Sequence, residues 1–189
     1  MGVNEENILV KGCIDWDRAS QNKLYALYAS KMFAVCFKYS SSREDAEDTF
    51  HEGFMKVFDH IKTFKGEGSL EGWIRRIMVN TAIEKYRKQL RMVKFINLEE
   101  CNTDFSNHFV DDILCKIAAN DLMHLIHKLP PQYKMVFNLY EFEGLKHKEI
   151  AELLDISEGS SKSNLSRARA SLQEAVKLNL HSLYEKVAK

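Results

Sequence analysis

Residues that interrupt helices are scarce in this chain of 189 amino acids. Only two prolines occur, adjacent at Pro130 and Pro131, and glycine accounts for eight residues. Strict alternation of apolar and polar residues, which marks half-buried β-strands, is also rare. These absences argue against a β-rich fold, and we predict an all-α protein.

Motifs for metal or redox chemistry are missing as well. The four cysteines, Cys13, Cys36, Cys101 and Cys115, form no CxxC pair, and the seven histidines form no HExxH pattern. Reduced and mostly buried thiols are the simplest interpretation of this spacing. We therefore expect no metal site, no cofactor and no catalytic residues.

The chain also has no apolar run that approaches the length of a membrane-spanning helix. Its first residues, MGVNEENILVKG, lack the basic and then apolar pattern of a signal peptide. With 45% hydrophobic and 29% charged residues, the composition is that of a folded globular protein. We expect no membrane insertion and a cytoplasmic location.

Charge is balanced overall but unevenly distributed. The formal net charge is zero, which argues against indiscriminate binding to nucleic acid. Residues 1–60 carry seven Lys or Arg against ten Asp or Glu, whereas residues 62–94 carry nine against three. A local basic face is sufficient for phosphate contact, so the acidic front and the basic middle predict two different partners.

Apolar residues spaced by three or four predict helices over 21–39, 43–62 and 70–91. Leu27 belongs to the apolar stripe of the first of these. The pattern weakens from residue 92 to about 112, which is rich in Asn, Asp and Glu, and returns near Ile113. We therefore predict two small helical domains, 1–92 and 113–189, joined by a mostly extended linker over 93–112.

The C-terminal domain has the pattern of a helix-turn-helix, whose second helix enters the DNA major groove. Ile150, Ala151, Leu153 and Leu154 point inward from its first helix. Asp155 occupies a turn that often needs a left-handed conformation, and Ser157 is a good N-cap for the second helix.

In the second helix of this motif, one face is apolar or small and the other is polar and basic. The inward face consists of Ser161, Leu165, Ala168 and Leu172, and the residues largely outside it are Lys162, Ser163, Ser166, Arg167 and Arg169. Serine and arginine can donate to phosphates and to purine edges, so this face is predicted to bind DNA. The alternative is an ordinary helical hairpin with a solvated polar face.

Helix 70–91 is also two-sided, and Ser69 is its predicted N-cap. Its apolar arc comprises Leu70, Trp73, Ile74, Ile77 and Met78, while Arg76, Asn80, Ile83 and Arg87 fall in another sector. The preceding loop, Phe64 to Gly68, combines a flexible backbone, an aromatic ring and a cation, which suits capture of an unstacked base. A merely solvated basic face is the alternative, and Trp73 is expected in the core rather than as a stacking platform.

The preceding helix carries acids opposite its apolar stripe: Asp45, Glu47, Asp48, Glu52 and Asp59. Together with Gly53 and Met55 they fit a docking surface for a protein partner. A plainly solvated face and a metal-dependent hydrolase site are the alternatives, although no histidine spacing favours the second.

Five segments in order resemble bacterial sigma factors: DAEDTFHEGFMKVFDHI, TFKGEGSLEGWIRRIMVNTAIEKYRK, LPPQYKMVF, KEIAELLDIS and KSNLSRARASL. The likeness is to the short extracytoplasmic-function group of the sigma-70 family. It implies that the first domain is region 2, a helical bundle, and that the second is region 4, a helix-turn-helix. It also implies a factor that binds core RNA polymerase and assists promoter opening without being an enzyme.

The resemblance assigns roles to particular residues and names partners. Asp48, His51, Glu52 and Met55 match the surface that binds the β′ clamp helices of the polymerase. Phe64, Lys65, Gly66, Arg76 and Asn80 match positions that open and recognise the minus-ten promoter element. Lys162, Ser163, Ser166 and Arg167 match positions that recognise the minus-thirty-five element, in a domain that also contacts the β flap. The family further implies a linker near the RNA exit path and an anti-sigma factor as partner.

Four positions depart from the family pattern. His51 stands where glutamine is usual, and Lys146 stands where a capping serine or threonine is common. Ser161 and Asn164 replace the more typical valine and arginine of the recognition helix, which predicts an altered promoter preference.

A dimeric repressor or activator would share the helix-turn-helix, but it leaves the acidic helix and the glycine-containing loop without a role.

Overall fold

The computed structural model describes residues 3–96 and 117–187, with side chains described for 5–92 and 122–177. Within these ranges the secondary structure is helical and contains no strand, which confirms the predicted all-α class. Contacts between residues divide the chain into two compact units, Met1–Leu90 and Arg91–Lys189.

The helices of the first unit are α1 (Val3–Ile14), α2 (Arg18–Tyr39), α3 (Arg43–His60), a 3₁₀ turn (Ile61–Thr63) and α4 (Leu70–Ile96). Residues 93–96, which the sequence placed in an extended linker, therefore continue α4. The rest of the predicted linker, 97–112, lies outside the described residues.

Short polar side chains define where these helices begin. Asp17 precedes α2 and accepts from the Ser20 N–H at 2.8 Å, and Ser42 caps α3 through the Asp45 N–H at 3.2 Å. Ser69 accepts from the Gly72 N–H at 3.1 Å, which confirms it as the N-cap of α4. Each cap of this kind stabilises a helix by about 0.5–2 kcal/mol.

The core of the first unit forms where α2, α3 and α4 pack together. Its largest fully buried side chains are Leu24, Met32, Val57, Leu70, Ile74 and Met78. Between α2 and α3, the Tyr25 ring lies 4.8 Å from Phe54 and 5.7 Å from Phe50, centroid to centroid, in tilted and edge-to-face arrangements. Aromatic pairs in this geometry add about 0.5–1.5 kcal/mol beyond the area they bury.

Three predictions about these faces were wrong. Leu27, assigned to the apolar stripe of α2, is 44% exposed, whereas Ile83, assigned to a polar sector of α4, is 4% exposed. Val79 and Tyr86 are buried with Ile83, so α4 is enclosed on a wider arc than one apolar stripe. Gly53 is buried too, because Met78 packs against it so closely that a side chain at position 53 would collide, and it cannot belong to an outer docking surface.

The second unit contains α5 (Ile117–His127), α6 (Pro131–Glu141), α7 (His147–Leu154) and α8 (Glu158–Val187). Pro131 occupies the first turn of α6, as predicted, where its missing N–H breaks no hydrogen bond. A core cluster comprises Ile126, Leu129, Ala168 and Leu172, flanked by Met123, Leu125, Tyr133 and Phe137.

A buried lysine closes the turn between α5 and α6. Lys134 is 4% exposed, and its ammonium group donates to the His127 carbonyl at 3.2 Å, near the end of α5. Cations in this position satisfy carbonyls that the helix leaves free and interact well with the helix dipole. The contact fixes the direction in which α6 departs.

The thiols of Cys13 and Cys36 are free and buried, and burial raises the pKa of the Cys36 thiol to about 12. The described residues include no cluster of His, Cys, Asp or Glu that could hold a metal ion. Among the described helices, none has an apolar stretch long enough to cross a bilayer.

Asp45 joins the start of α3 to α4 through Lys85. The Lys85 ammonium lies 2.7 Å from one carboxylate oxygen, and Ser41 donates its backbone N–H and its hydroxyl to the other at 2.8 and 3.0 Å. Burial alone raises the pKa of the Asp45 carboxyl, but the hydrogen bonds from Lys85 and Ser41 outweigh burial and lower the pKa. The ionised form is therefore the one that stabilises the fold.

Replacing Asp45 with asparagine is expected to lower the free energy of unfolding of the first unit by about 1–3 kcal/mol at neutral pH. Because the folded-state pKa is depressed, this contribution is present above about pH 4 and is lost as the pH falls through the folded-state pKa. Urea unfolding followed by tryptophan fluorescence measures it, since both tryptophans, Trp16 and Trp73, lie in this unit.

Glu47→Gln is the matched control, because Glu47 forms an exposed pair with Arg43 at 3.0 Å and its loss should cost about 0.5 kcal/mol or less. Equal effects of the two substitutions at neutral pH would contradict the role assigned to Asp45.

Candidate nucleic-acid interface

A pocket of about 360 Å³ opens at the loop between the 3₁₀ turn and α4. Its lining residues are Thr63, Phe64, Lys65, Glu67, Gly68, Ser69, Gly72, Trp73 and Arg76. The Phe64 and Trp73 rings lie 5.7 Å apart at 57°, so two aromatic surfaces contribute to the wall. Lys65 and Arg76 add positive charge. Aromatic rings beside cations are what unpaired nucleic-acid bases bind.

Two glycines give the loop its path around this pocket. Gly66 has φ 75° and Gly68 has φ 130°, values that side chains rarely allow. The chain can therefore turn sharply and still reach Ser69, which begins α4.

The structure brings together some of the predicted minus-ten residues and separates others. Phe64, Lys65 and Arg76 line the loop pocket, whereas Gly66 shapes the loop and Asn80 is exposed one turn further along α4. Glu67 and Trp73 also line the pocket, a role not predicted from the sequence. Trp73 was expected in the core, and it is only partly buried. The sequence signal for a lining role was that Trp73 lies close along the chain to Phe64 and to the glycines Gly68 and Gly72.

The residues predicted to bind polymerase share one face of α3, called the acidic face below: Asp48, His51, Glu52 and Met55. Their spacing of three and four places them opposite the buried residues of the helix. The Met55 side chain is 68% exposed, which is unusual for a large apolar residue. The Glu52 carboxylate binds Lys56 at 2.8 Å, and Asp48 lies 3.7 Å from Lys85. The acidic face is thus an apolar side chain surrounded by accessible acids.

In the second unit, α7 and α8 form the helix-turn-helix. Asp155 ends α7 with φ 56° and ψ 49°, which confirms the predicted left-handed turn. Ser157 accepts from the Ser160 N–H at 3.0 Å and so caps α8 as predicted. Lys146 has no capping side chain, but its N–H donates to the Glu149 carboxylate at 2.7 Å, which stabilises the start of α7.

The predicted inward face of this motif is buried. Ser161, Leu165, Ala168 and Leu172 of α8 are at most 7% exposed, and Ile150, Ala151 and Leu154 of α7 are buried with them. Leu153 is only partly buried. The predicted DNA-binding residues Lys162, Ser163, Ser166 and Arg167 are all exposed, and they form what we call the outer face.

Two arginines of α8 differ in their surroundings. Arg169, predicted to lie outside the inward face, binds the Glu141 carboxylate at 2.6 Å and stacks over the Tyr140 ring at 5.6 Å. It therefore ties α8 to α6. Arg167 makes one longer contact, 3.4 Å to the Tyr133 hydroxyl, and projects from the outer face. Of these two arginines, Arg167 is therefore the one less engaged within the protein.

A polar contact connects the two helices of the motif. The fully buried Ser161 hydroxyl lies 3.0 Å from His147 Nδ1, and the His147 ring stacks on Tyr140 at 4.8 Å. Ser161 occupies a position where valine is typical of the resembling family, and His147 supplies the partner that a buried hydroxyl needs. This pair was not predicted from the sequence, because its two residues lie on different helices.

At the start of α8, the Glu158 carboxylate lies 2.6 Å from the Lys162 ammonium. The hydrogen bond from Lys162 and its charge lower the pKa of the Glu158 carboxyl, and the charges of His147 and Lys148 act in the same direction. The first turn of the helix therefore carries an ionised acid among basic residues.

Comparison with known families finds a match in each unit. The model of sigma-70 region 2 matches residues 24–92, and the model of sigma-70 region 4 matches residues 119–172. The ECF RNA polymerase sigma-E factor of Haemophilus influenzae is 30% identical over 180 residues, which cover 90% of this chain and 95% of that protein. The chain belongs to the sigma-70 family. It is an RNA polymerase sigma factor of the extracytoplasmic-function group, a transcription initiation factor.

Other relatives agree with this membership. The sigma factor is 26% identical to SigW of Bacillus subtilis, over 80% of this chain and 86% of that protein. A solved structure of the sigma factor RpoE with the anti-sigma factor NepR from Bartonella quintana has a TM-score of 0.50 and 22% identity, covering 82% of this chain and 96% of that one. This last similarity establishes a shared fold.

Proposed function

We propose that this sigma factor binds core polymerase through the acidic face, opens and recognises the minus-ten element at the loop pocket, and recognises the minus-thirty-five element with the outer face. One observation carries the proposal. The same chain combines a pocket of aromatic and cationic residues with a helix-turn-helix whose recognition helix exposes Lys162, Ser163, Ser166 and Arg167.

The loop pocket supports recognition of a single strand rather than of duplex DNA. Phe64 and Trp73 offer ring faces inside a concave wall, and stacking is available only to a base that has left its pair. Lys65 and Arg76 can hold the adjoining phosphates, while Asn80 can extend the contact along α4. Captured bases cannot pair again, so binding at this pocket favours the open promoter.

The outer face supports recognition of duplex DNA. Burial of the inward face holds α8 in one orientation, and the outer side chains project together from its first turns. Arg167 and Lys162 can bind phosphates or guanine, and Ser163 and Ser166 can bind phosphates or base edges. Helix-turn-helix proteins place this part of the recognition helix in the major groove.

The acidic face supports binding to a basic protein partner. Met55 provides an exposed apolar anchor, and Asp48, His51 and Glu52 form a polar rim around it, which is the usual anatomy of an interface. The family assigns this surface to the β′ clamp helices, and the second unit to the β flap. Catalysis of bond formation belongs to the polymerase, so the sigma factor itself is not an enzyme and needs no cofactor.

The proposal also covers location and regulation. The factor works with polymerase in the bacterial cytoplasm. An anti-sigma factor that covers one or both units is the expected inhibitor, since a structurally similar sigma factor is known in complex with NepR. In this proposal region 2 occupies residues 1–92 and region 4 residues 113–189, and the segment between them begins with the last turn of α4, residues 93–96.

Phe64→Ala is expected to destabilise the open complex by about 1–3 kcal/mol, because a stacking surface for an unpaired base is lost. Permanganate reactivity of unpaired thymines in complexes of holoenzyme with promoter DNA measures the effect. The defect should persist on a template mismatched across the minus-ten element, since the lost contact is with the unpaired strand.

Phe64→Tyr keeps the ring and should retain most of the activity. Lys62→Ala removes an exposed cation that does not line the loop pocket, and it should have little effect. Open complexes of the alanine variant at position 64 that matched the wild type would refute the assignment of the pocket.

Met55→Ala is expected to weaken binding to core polymerase by about 1 kcal/mol or more, because the central apolar contact of an interface contributes most of its energy. Fluorescence titration of labelled sigma factor with core enzyme measures the affinity. Ile8→Ala is a closely matched control, since Ile8 is 66% exposed on α1 and outside the acidic face. If both substitutions weakened binding equally, the acidic face would not be the docking surface.

A further inference from the structure

Glu158 is an acid in the first turn of the helix that is proposed to contact DNA. Its carboxylate lies one helical turn before Lys162, at 2.6 Å from the lysine ammonium, and both side chains are exposed to solvent. The other charged groups near it are His147 and Lys148 at the start of α7. Glu158 and Lys162 belong to the helix that the proposed function places against promoter DNA, and His147 and Lys148 belong to the other helix of the motif.

The start of α8 does not depend on Glu158 for its cap. Ser157 accepts from the Ser160 N–H at 3.0 Å through its hydroxyl, and its carbonyl accepts from the Ser161 N–H at 3.0 Å. An acid in the first turn still interacts favourably with the helix dipole. The exposed pair with Lys162, four residues along the helix, adds only slightly to helix stability, so Glu158 is not needed for the fold of α8.

Phosphate contact is the main source of sequence-independent DNA affinity, and each contact releases counterions from the duplex. A lysine paired with a neighbouring carboxylate contributes less to that term, because a phosphate has to compete with the carboxylate for the ammonium group. The carboxylate also repels the phosphates that approach it. Both effects weaken binding to any DNA sequence alike, since the phosphate backbone is the same everywhere.

We propose that Glu158 sets the DNA affinity of the helix-turn-helix by pairing with Lys162 and repelling phosphates, which lowers the affinity of the outer face for any DNA sequence. This inference rests on the proposed function, because it requires the outer face to be a DNA-binding surface. It names an affinity-setting residue that the helix-turn-helix pattern does not include.

The test uses the full chain and a short random-sequence duplex, with binding followed by fluorescence anisotropy at several salt concentrations. Glu158→Gln is expected to raise the affinity by about 3- to 10-fold at low salt and to steepen the slope of log affinity against log salt by about one. A duplex that carries the minus-thirty-five element should gain by the same factor. Glu174→Gln, an exposed acid further along α8, is the control and should change neither quantity.

A second comparison tests whether Glu158 acts through Lys162. Lys162→Gln should weaken DNA binding. Adding Glu158→Gln to that variant should raise its DNA affinity by a smaller factor than Glu158→Gln does in the wild-type chain. If Lys162→Gln weakens binding but Glu158→Gln changes nothing, the inference fails while the proposed function stands. If Lys162→Gln has no effect, the proposed contact of the outer face fails together with the inference.

Two further results would overturn the proposal. Loss of discrimination at a single base pair, with no gain on random DNA, would make Glu158 a base-contacting residue that accepts from a cytosine amino group. Lower affinity for every duplex together with a lower melting temperature would assign Glu158 to helix stability alone.

Discussion

Burial of one narrow stripe on α8 is the constraint on which DNA recognition by this sigma factor depends. Ser161, Leu165, Ala168 and Leu172 repeat at helical spacing and are enclosed by neighbouring helices. Because α8 cannot rotate about its axis without exposing this stripe to solvent, the residues between the members of the stripe must face outward. Arg169 adds a lateral restraint through Glu141 and Tyr140. The orientation of the outer face is therefore set by packing, before any DNA is present.

The shape of the loop pocket in the first unit depends on sharp backbone turns rather than on a buried helical stripe. A regular helix presents a convex surface, and a flipped base needs a concave one. The chain obtains it by leaving the helix at Phe64, turning through Gly66 and Gly68, and starting α4 at Ser69. The two sites thus match their proposed targets in shape: a projecting helix for a duplex groove, and a recessed loop for an unpaired strand.

Sequence periodicity predicted most of the helices. The caps and turns could also be predicted, because they depend on residues that are close together in the sequence. The positions of Ser69, Asp155 and Ser157 follow from backbone hydrogen bonds and dihedral preferences within a few residues. Which faces are buried depends on the neighbouring helices, so Leu27 and Ile83 were assigned wrongly. Contacts across helices, such as Asp45 with Lys85 or His147 with Ser161, join residues far apart in sequence and leave no periodic signal. The roles of individual DNA-contacting side chains likewise depend on a partner that the chain does not encode.

Directed cleavage of promoter DNA tests the central claim most directly. An iron chelate would be attached at Ser166→Cys or at Lys65→Cys, in a chain whose Cys101 and Cys115 are replaced by serine, since Cys13 and Cys36 are buried. In the open complex with core polymerase, the chelate at position 166 should cut within the minus-thirty-five element. The chelate at position 65 should cut the unpaired strand at the minus-ten element. Cleavage by both at one element, or by neither, would contradict the account.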